Sequence, residues 1–248
     1  MNFAELHFHL LPGIDDGPSS MEESVALAAT AAAEGTRTVV TTPHIHPSFV
    51  TDPGTLAARV REVQNRLTAE RIPIKVRCGG ELDLAMPERL SDAQLEAVAH
   101  GPHGRRWVLL EAPLRGLEND YTVVADGLRE RGFAVVVAHP ERSFNHPEAA
   151  RRAVEHELAA GSALQINAWS VAGLYGEHVR ANAVALLRRA PRAVVASDAH
   201  GAARMPALGL AVEALSGAGV DDPVRLMSSD PLELLERGLA VAPGALAA

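Results

Sequence analysis

Short apolar runs alternate with longer amphipathic stretches along most of the chain, and this alternation constrains the fold more than any other feature. Seven runs rich in Val, Ile, Leu and Ala are predicted strands: residues 3–6, 38–42, 74–78, 107–110, 134–138, 164–166 and 193–196. They lack a strict apolar–polar alternation, which is typical of strands buried on both faces of a parallel sheet. Helices are predicted between them at residues 21–33, 55–71, 119–131, 148–160 and 179–189.

The signals at the ends of the first helix fit this pattern. Ser20 is the predicted N-cap with Glu23 as its capping-box partner, and Gly35 is the predicted C-terminal cap. Repeated β–α units imply a parallel sheet with helical crossovers. Seven units in 248 residues favour an α/β fold with a closed or nearly closed barrel, and a doubly wound open sheet is the alternative. No G-x-G-x-x-G sequence follows the first strand, which disfavours a dinucleotide-binding sheet.

Composition narrows the class of protein. We predict one domain over residues 1–248, with a short Ala-rich tail at about 240–248. The net charge of −8 and the lack of a long Lys/Arg run disfavour a nucleic-acid partner.

The single cysteine excludes an intrachain disulfide, and the first eleven residues lack the basic and apolar segments of a secretory signal. No apolar run reaches the roughly 18 residues of a membrane span, so we expect a soluble cytoplasmic protein without membrane insertion.

Polar side chains follow every predicted strand. In a β/α barrel the chemistry lies at the carboxyl ends of the strands. In chain order these residues are His7, His9, Asp15 and Asp16; His44; Glu81; Glu111; His139, Glu141 and Arg142; Asn167; and Asp198 and His200. In His7-x-His9 and Asp198-x-His200 the two side chains share one face of an extended chain. We therefore expect these groups to meet at one rim.

A single pair of this kind is more often a polar group packed near a loop than a metal site. Here, however, five His, two Asp and two Glu converge on one end of the predicted barrel. So many buried charges would be unfavourable unless cations neutralised them. Mixed His and carboxylate ligands without Cys suit Zn, Mn, Fe or Mg, and nine ligands suit two or three ions.

As a set, these motifs resemble the PHP (polymerase and histidinol phosphatase) superfamily, and within it the bacterial CpsB/YwqE-type tyrosine phosphatases. The resemblance covers residues 7–204 in the family's order. It rests on His7-x-His9, Leu11-Pro12-Gly13-Ile14-Asp15-Asp16-Gly17, Thr42-Pro43-His44, Gly80-Glu81, Glu111, His139-Pro140-Glu141-Arg142 and Ser197-Asp198-x-His200. It departs from the family at Glu5, where Asp is usual, and at His46, which follows His44 by two positions rather than one.

The resemblance implies a distorted TIM-like (β/α)7 barrel, the PHP fold, with two or three divalent ions, of which Mn is the foremost candidate. It implies ligand roles for His7, His9 and Asp198 at the first ion, Glu81 bridging the first and second, Glu111 and His139 at the second, and Asp16, His44 and His200 at the third. Arg142 and Arg204 match the family's phosphate-binding arginines. A metal-bound water, ionised near neutral pH, would attack the phosphorus.

The implied function is a protein tyrosine phosphatase acting on a bacterial tyrosine kinase linked to capsule or exopolysaccharide synthesis. The alternatives are a small-metabolite phosphatase, such as one for histidinol phosphate, and a noncatalytic metal-binding regulatory module. A cysteine-dependent phosphatase is excluded because Leu84, not Arg, stands six places after Cys78, which we expect to be a buried strand-end residue. No general acid is identified; His46 and Asp15 are near the rim, and Asp15 is better suited to orient a ligand. The remaining histidines are expected at the surface: His100, His103, His146, His156 and His178.

Overall fold

The computed structural model describes residues 2–241. Its strands are β1 Phe3–Glu5, β2 Thr36–Thr41, β3 His44–Ile45, β4 Lys75–Cys78, β5 Glu81–Leu82, β6 Trp107–Glu111, β7 Ala134–Ala138, β8 Ala163–Asn167 and β9 Ala193–Ala196. Its α-helices are α1 Met21–Glu34, α2 Leu56–Ala69, α3 Asp92–Glu96, α4 Asn119–Glu130, α5 Pro147–Ala159, α6 Ala168–Val171, α7 Glu177–Arg189, α8 Leu208–Gly217 and α9 Ser229–Arg237. Residues 242–248, most of the predicted Ala-rich tail, lie outside the described residues.

Every strand pair in residues 2–241 is parallel, and the second and third predicted strands each continue, after a break, into a short strand that was not predicted. The hydrogen-bonded orders are β1-β2-β4 and β3-β5-β6-β7-β8-β9. Thr42-Pro43 separates β2 from β3, and Gly79-Gly80 separates β4 from β5, so each pair forms one stave, meaning one strand position of the sheet. Proline has no N–H to donate to a ladder, which explains the first break. The α/β class with a parallel sheet is confirmed.

Contacts beyond the strand ends join the first stave to the last. Phe8 forms a parallel bridge with Ala199, and the Asp198 amide donates to the His7 carbonyl at 3.0 Å. The neighbour order of the seven staves therefore returns to its starting point. Crossover helices follow from the parallel order, because the chain must return to the same end of the sheet before the next strand can run parallel to the last.

The apolar residues form two clusters on opposite faces of the strands. In β7, Val135 and Val137 belong to the larger cluster, which includes buried residues of the helices. The alternate residue Val136 belongs to the smaller cluster, together with Leu234 of α9. The indole of Trp107, the first residue of β6, donates to the Leu234 carbonyl at 2.9 Å. Helix α9 therefore packs at the amino ends of the strands, opposite the polar rim.

The end of α1 agrees with the prediction, and its start agrees in part. The Ser20 side chain accepts from the Glu23 amide, and Gly35 has φ of 108°. The predicted return bond of the capping box is wrong, because the Glu23 carboxylate accepts from the amide and hydroxyl of Ser19 instead. No helix within residues 2–241 combines the length and apolar character needed to cross a membrane.

Candidate metal centre

The candidate metal centre lies where the carboxyl ends of the staves meet. His7 and His9 follow β1, and His44, Glu81 and Glu111 lie within β3, β5 and β6. The structure brings all nine predicted ligands into overlapping groups whose ligand atoms lie within 4.8 Å of one another. These groups are His9, Asp16, His44 and His200; His7, His9 and Asp198; His7, Glu81 and His139; and His44, Glu81 and Glu111.

Glu81 is the central carboxylate of this arrangement. Its Oε2 lies 3.2 Å from His7 Nε2, 3.4 Å from His9 Nε2 and 3.1 Å from His44 Nδ1. Its Oε1 lies 2.9 Å from His139 Nε2. One side chain, 1% exposed, therefore contacts four imidazoles supplied by three different staves. A carboxylate with two oxygens in this position has the geometry needed to share two ions.

Asp198 is a second centre of contacts. Its Oδ1 lies 3.3 Å from His7 Nε2, and its Oδ2 accepts from Asn167 Nδ2 at 2.9 Å. The same Oδ2 lies 2.9 Å from Arg204 Nη1 and 3.5 Å from Arg142 Nη1. Both predicted phosphate-binding arginines therefore point into the ligand cluster. Because Arg142 and Arg204 share one oxygen of Asp198, the two guanidiniums are close enough to bind the same anion.

Asp16 closes the open side of the cluster. It lies on the loop between β1 and α1, and its exposed carboxylate is 3.4 Å from His44 Nε2 and 3.3 Å from His200 Nε2. The adjacent Asp15 is part-buried and contacts His9 Nδ1 at 2.8 Å, while it also accepts from the His44 amide at 3.1 Å. Asp15 thus orients a candidate ligand, as its sequence position predicts.

Two candidate ligands have left-handed backbone. His139 directly follows β7 with φ of 35°, and Asp198 follows β9 with φ of 52°. This region is uncommon for residues with a Cβ and is concentrated at functional sites. The unusual backbone turns each side chain back over the strand ends, where the other ligands lie.

The charged groups of the cluster shift one another's pKa values. Burial alone would lower the pKa of His7, but the nearby Glu81 and Asp198 carboxylates raise it to about 9. Against the same effect of burial, Glu81 and other carboxylates raise the pKa of His44 to about 10. Burial and the charge of Glu81 raise the pKa of Glu111 to about 8. The carboxylates thus favour positive charge at His7 and His44, the same charge that a divalent cation would supply.

The donor set fits divalent cations. It offers imidazole nitrogens and carboxylate oxygens with no thiolate, the ligands of borderline and hard ions. Asp198 Oδ1, His139 Nδ1 and His200 Nε2 are buried and have no hydrogen-bond partner within residues 2–241. Since metal ligands must be deprotonated, cations and the protons on His7 and His44 compete for the same atoms.

Two residues of β8 support the ligands, and sequence reasoning placed Asn167 at the rim but did not identify Gln165. Gln165 Oε1 lies 2.8 Å from His7 Nδ1, and Gln165 Nε2 donates to Asn167 Oδ1 at 2.9 Å. Gln165 and Asn167 thus form a buried amide chain between His7 and Asp198. The period of two that marks His7-x-His9 is also present in Gln165-x-Asn167, and it is the signal that could have revealed this pair.

Several other predicted positions have distinct outcomes. His100 is not at the surface: it is buried 4.9 Å from the Trp107 ring, and burial with the nearby arginines lowers its pKa to about 3. The surface prediction failed because the segment that carries His100 runs beside the start of β6, where the His100 amide donates to the Trp107 carbonyl. Cys78 ends β4 as predicted but is half-buried. His46 lies at the rim, 4.0 Å from Asp83.

The sequence comparisons point to one family. A family model described as capsular polysaccharide synthesis, CpsB/CapC, matches residues 3–236. The tyrosine-protein phosphatase YwqE of Bacillus subtilis is 29% identical over 199 residues, which cover 79% of this chain and 76% of that protein. The tyrosine-protein phosphatase CpsB of Streptococcus pneumoniae is 28% identical over 210 residues, covering 79% and 82%.

The structural comparisons agree. One of the solved structures of YwqE from Bacillus subtilis and CpsB from Streptococcus pneumoniae, described as unique metal-dependent tyrosine phosphatases, has a TM-score of 0.81. It is 27% identical, and the match covers 94% of this chain and 93% of that one. An organophosphorus hydrolase from Deinococcus radiodurans, 16% identical with a TM-score of 0.52, shares the fold over 94% and 92% of the two chains.

Proposed function

This chain belongs to the CpsB/CapC family of capsular polysaccharide synthesis, and we propose that it is a metal-dependent protein tyrosine phosphatase. The observation that carries the proposal is the convergence of nine His, Asp and Glu side chains beside two arginines at one end of the strands. The similar proteins named as tyrosine-protein phosphatases support the same activity. We further propose that residues 1–248 act as one catalytic domain.

The nine residues would hold two or three divalent ions, with Mn as the first candidate. Glu81 is the bridging ligand in this assignment, because its two oxygens face different imidazoles. Such ions supply Lewis-acid activation of water and neutralise charge on a phosphoryl group. In the folded chain, Asp15 keeps His9 oriented, and the Gln165–Asn167 amide chain does the same for His7 and Asp198.

Arg142 and Arg204 would bind the phosphoryl oxygens. A guanidinium offers planar paired donors to an oxyanion, and both arginines already contact an anionic oxygen of Asp198. A tyrosine phenol ionises near pKa 10, so its phenolate leaves more readily than the alkoxide of serine. A phosphotyrosine protein, foremost a bacterial tyrosine kinase of capsule or exopolysaccharide synthesis, is the proposed substrate.

The test is a side-by-side kinetic comparison on the purified full chain with its metal content measured. The substrates are a phosphotyrosine peptide, a phosphoserine peptide and histidinol phosphate. We expect the phosphotyrosine peptide to have the highest kcat/KM, activity to disappear with a chelator, and activity to return with Mn. A preference for histidinol phosphate would favour the small-metabolite alternative, and hydrolysis of none of the three with added Mn would reject a phosphatase.

Glu81→Gln separates the metal role from general damage to the fold. The amide keeps the size of the side chain but removes the charge that faces four imidazoles. We expect the purified variant to carry less metal and to lose at least about 100-fold in kcat/KM, beyond the 10–100-fold typical of residues that only orient ligands. Glu88→Gln, at an exposed position, is the matched control and should leave both quantities unchanged.

A further inference from the structure

Tyr175 lies beside the arginines and has no role in the ligand set. The Arg142 guanidinium carbon is 4.5 Å from the centroid of the Tyr175 ring. This separation is within the range of cation–π attraction. The Tyr175 ring also packs beside Trp169 of α6, whose ring centroid is 5.8 Å away. The ring therefore fixes the position of one of the two guanidiniums.

The Tyr175 hydroxyl is a buried donor without a partner. Within residues 2–241 no group forms a hydrogen bond with it. Burial raises the pKa of the phenol, and the charges that act on it include Arg142, Arg204 and Asp198. The hydroxyl thus lies within the field of both arginines and stays protonated. Buried polar groups are almost always satisfied, so an unpaired donor at this place indicates an absent acceptor.

The segments that carry Arg142 and Tyr175 are tied together by a third residue. The buried Glu141 accepts from the Asn167 amide at 2.9 Å and from the Ser170 hydroxyl at 2.7 Å. The turn that holds Arg142 is therefore anchored to α6, shortly before Tyr175. This anchoring fixes the ring and the guanidinium relative to each other.

We propose that Tyr175 recognises phosphate: its ring positions Arg142, and its hydroxyl donates a hydrogen bond to a phosphoryl oxygen bound between Arg142 and Arg204. Both arginines contact Asp198 Oδ2, so a cation held by that carboxylate would weaken these ion pairs and leave both guanidiniums available to an oxyanion. The phenol would then donate to the same oxyanion as the two guanidiniums. The proposal rests on the proposed function for the identity of the substrate, but the interaction itself requires only that Tyr175 and the two arginines bind an oxyanion.

Two variants of Tyr175 separate the ring from the hydroxyl. Tyr175→Phe keeps the ring over Arg142 and removes the donor, whereas Tyr175→Leu removes both. Orthophosphate binding to the Mn-loaded full chain is measured by calorimetry, alongside KM and kcat for an aryl phosphate. We expect Tyr175→Phe to weaken orthophosphate binding about tenfold, since it loses one hydrogen bond to a charged group, and to raise KM more than it lowers kcat. Tyr175→Leu should bind orthophosphate more weakly still.

Tyr121→Phe is the matched control, because it removes the hydroxyl of the other of the two tyrosines in the sequence. Its hydroxyl donates to the Leu110 carbonyl at 3.2 Å, so the variant should lose thermal stability but keep its affinity for orthophosphate. Orthophosphate affinity of Tyr175→Phe within twofold of wild type, or no binding by wild type, would overturn the proposal. Equal affinities of the two Tyr175 variants would overturn the role of the ring. Phosphate binding without hydrolysis of any aryl phosphate would reject the proposed function alone.

Discussion

At the scale of single residues, the neighbours of a buried histidine decide its charge. His7 and His100 are both buried, yet their pKa values shift in opposite directions. Glu81 and Asp198 overcome the effect of burial on His7 and raise its pKa to about 9. Burial, together with the cationic Arg77 and Arg106, lowers the pKa of His100 to about 3. One imidazole is thus ready to exchange a proton for a cation, and the other is a neutral part of the core.

His100 makes a testable contribution to acid stability. Its pKa of about 3 in the folded chain lies below the ordinary value of 6.5, so the unfolded chain binds more protons between these pH values. Stability therefore falls as the pH drops through this window. Between pH 6.5 and pH 5 the loss from this group is about 2 kcal/mol. Urea unfolding at pH 7 and pH 5 should show a smaller pH effect for His100→Leu than for wild type. An equal effect in both proteins would contradict this assignment.

The convergence of the nine candidate ligands could be predicted from the sequence because each follows a predicted strand, and the ends of parallel strands meet. His139 and Glu111 needed no information beyond that position. Tyr175 could not be found in this way, since it lies in a loop without periodicity and meets Arg142 only through the folded path of α6. His100 was misplaced because a polar residue in a loop gives no sequence signal of burial.

At the scale of elements, the two interrupted staves determine where the ligands lie. Pro43 and Gly79-Gly80 interrupt the hydrogen-bond ladder between β2 and β4. The ladder resumes between β3 and β5, where His44 pairs with Glu81. A Cβ on Gly79 would lie 2.6 Å from Val40 Cγ1, and one on Gly80 would lie 2.7 Å from Ile45 Cγ1. The break therefore depends on glycine for close packing, not for a left-handed backbone.

Gly79→Ala tests this packing. We expect it to lower the free energy of unfolding by about 1–3 kcal/mol, the usual cost of overpacking, because Val40 and His100 would have to move. Gly127→Ala in α4 is the matched control: its Cβ would meet nothing within 4 Å, and alanine in a helix should stabilise by about 0.5–1 kcal/mol. Chemical denaturation measures both, and a neutral Gly79→Ala would show that the junction can relax.

Several elements that the sequence analysis did not predict were short or without contrast, but the nine-residue α9 was missed although its buried Pro231, Leu234 and Leu235 have helical spacing. Helix α6 has four residues, which is too few for a helical period, and the two-residue β3 and β5 looked like loop. Helix α8 has Leu208, Gly209 and Leu210 at its start, a run that resembles a buried strand as much as a helix. The seven strands with five predicted helices between them were recognised because their apolar runs were longer and better separated.

At the scale of the whole molecule, cation binding at the candidate metal centre would make the free energy of unfolding depend on cation concentration. A ligand that binds only the folded chain stabilises it by mass action, by about 2.7 kcal/mol per site at 100 times its Kd. In a chain of this size that corresponds to an increase in Tm of about 5–10 °C. Thermal unfolding with and without Mn measures the increase, which Glu81→Gln should reduce. A Tm independent of Mn in the chelator-treated protein would argue against a folded-state metal site.

The bridge between Phe8 and Ala199 has a consequence for how the protein is made. His7 and His9 are synthesised long before Asp198 and His200, so the centre cannot be complete until the chain beyond β9 has been made. A chain released before β9 would keep most of its imidazoles but lack the carboxylate at which both arginines meet. Cation binding by the complete centre would therefore require both the first and the last stave.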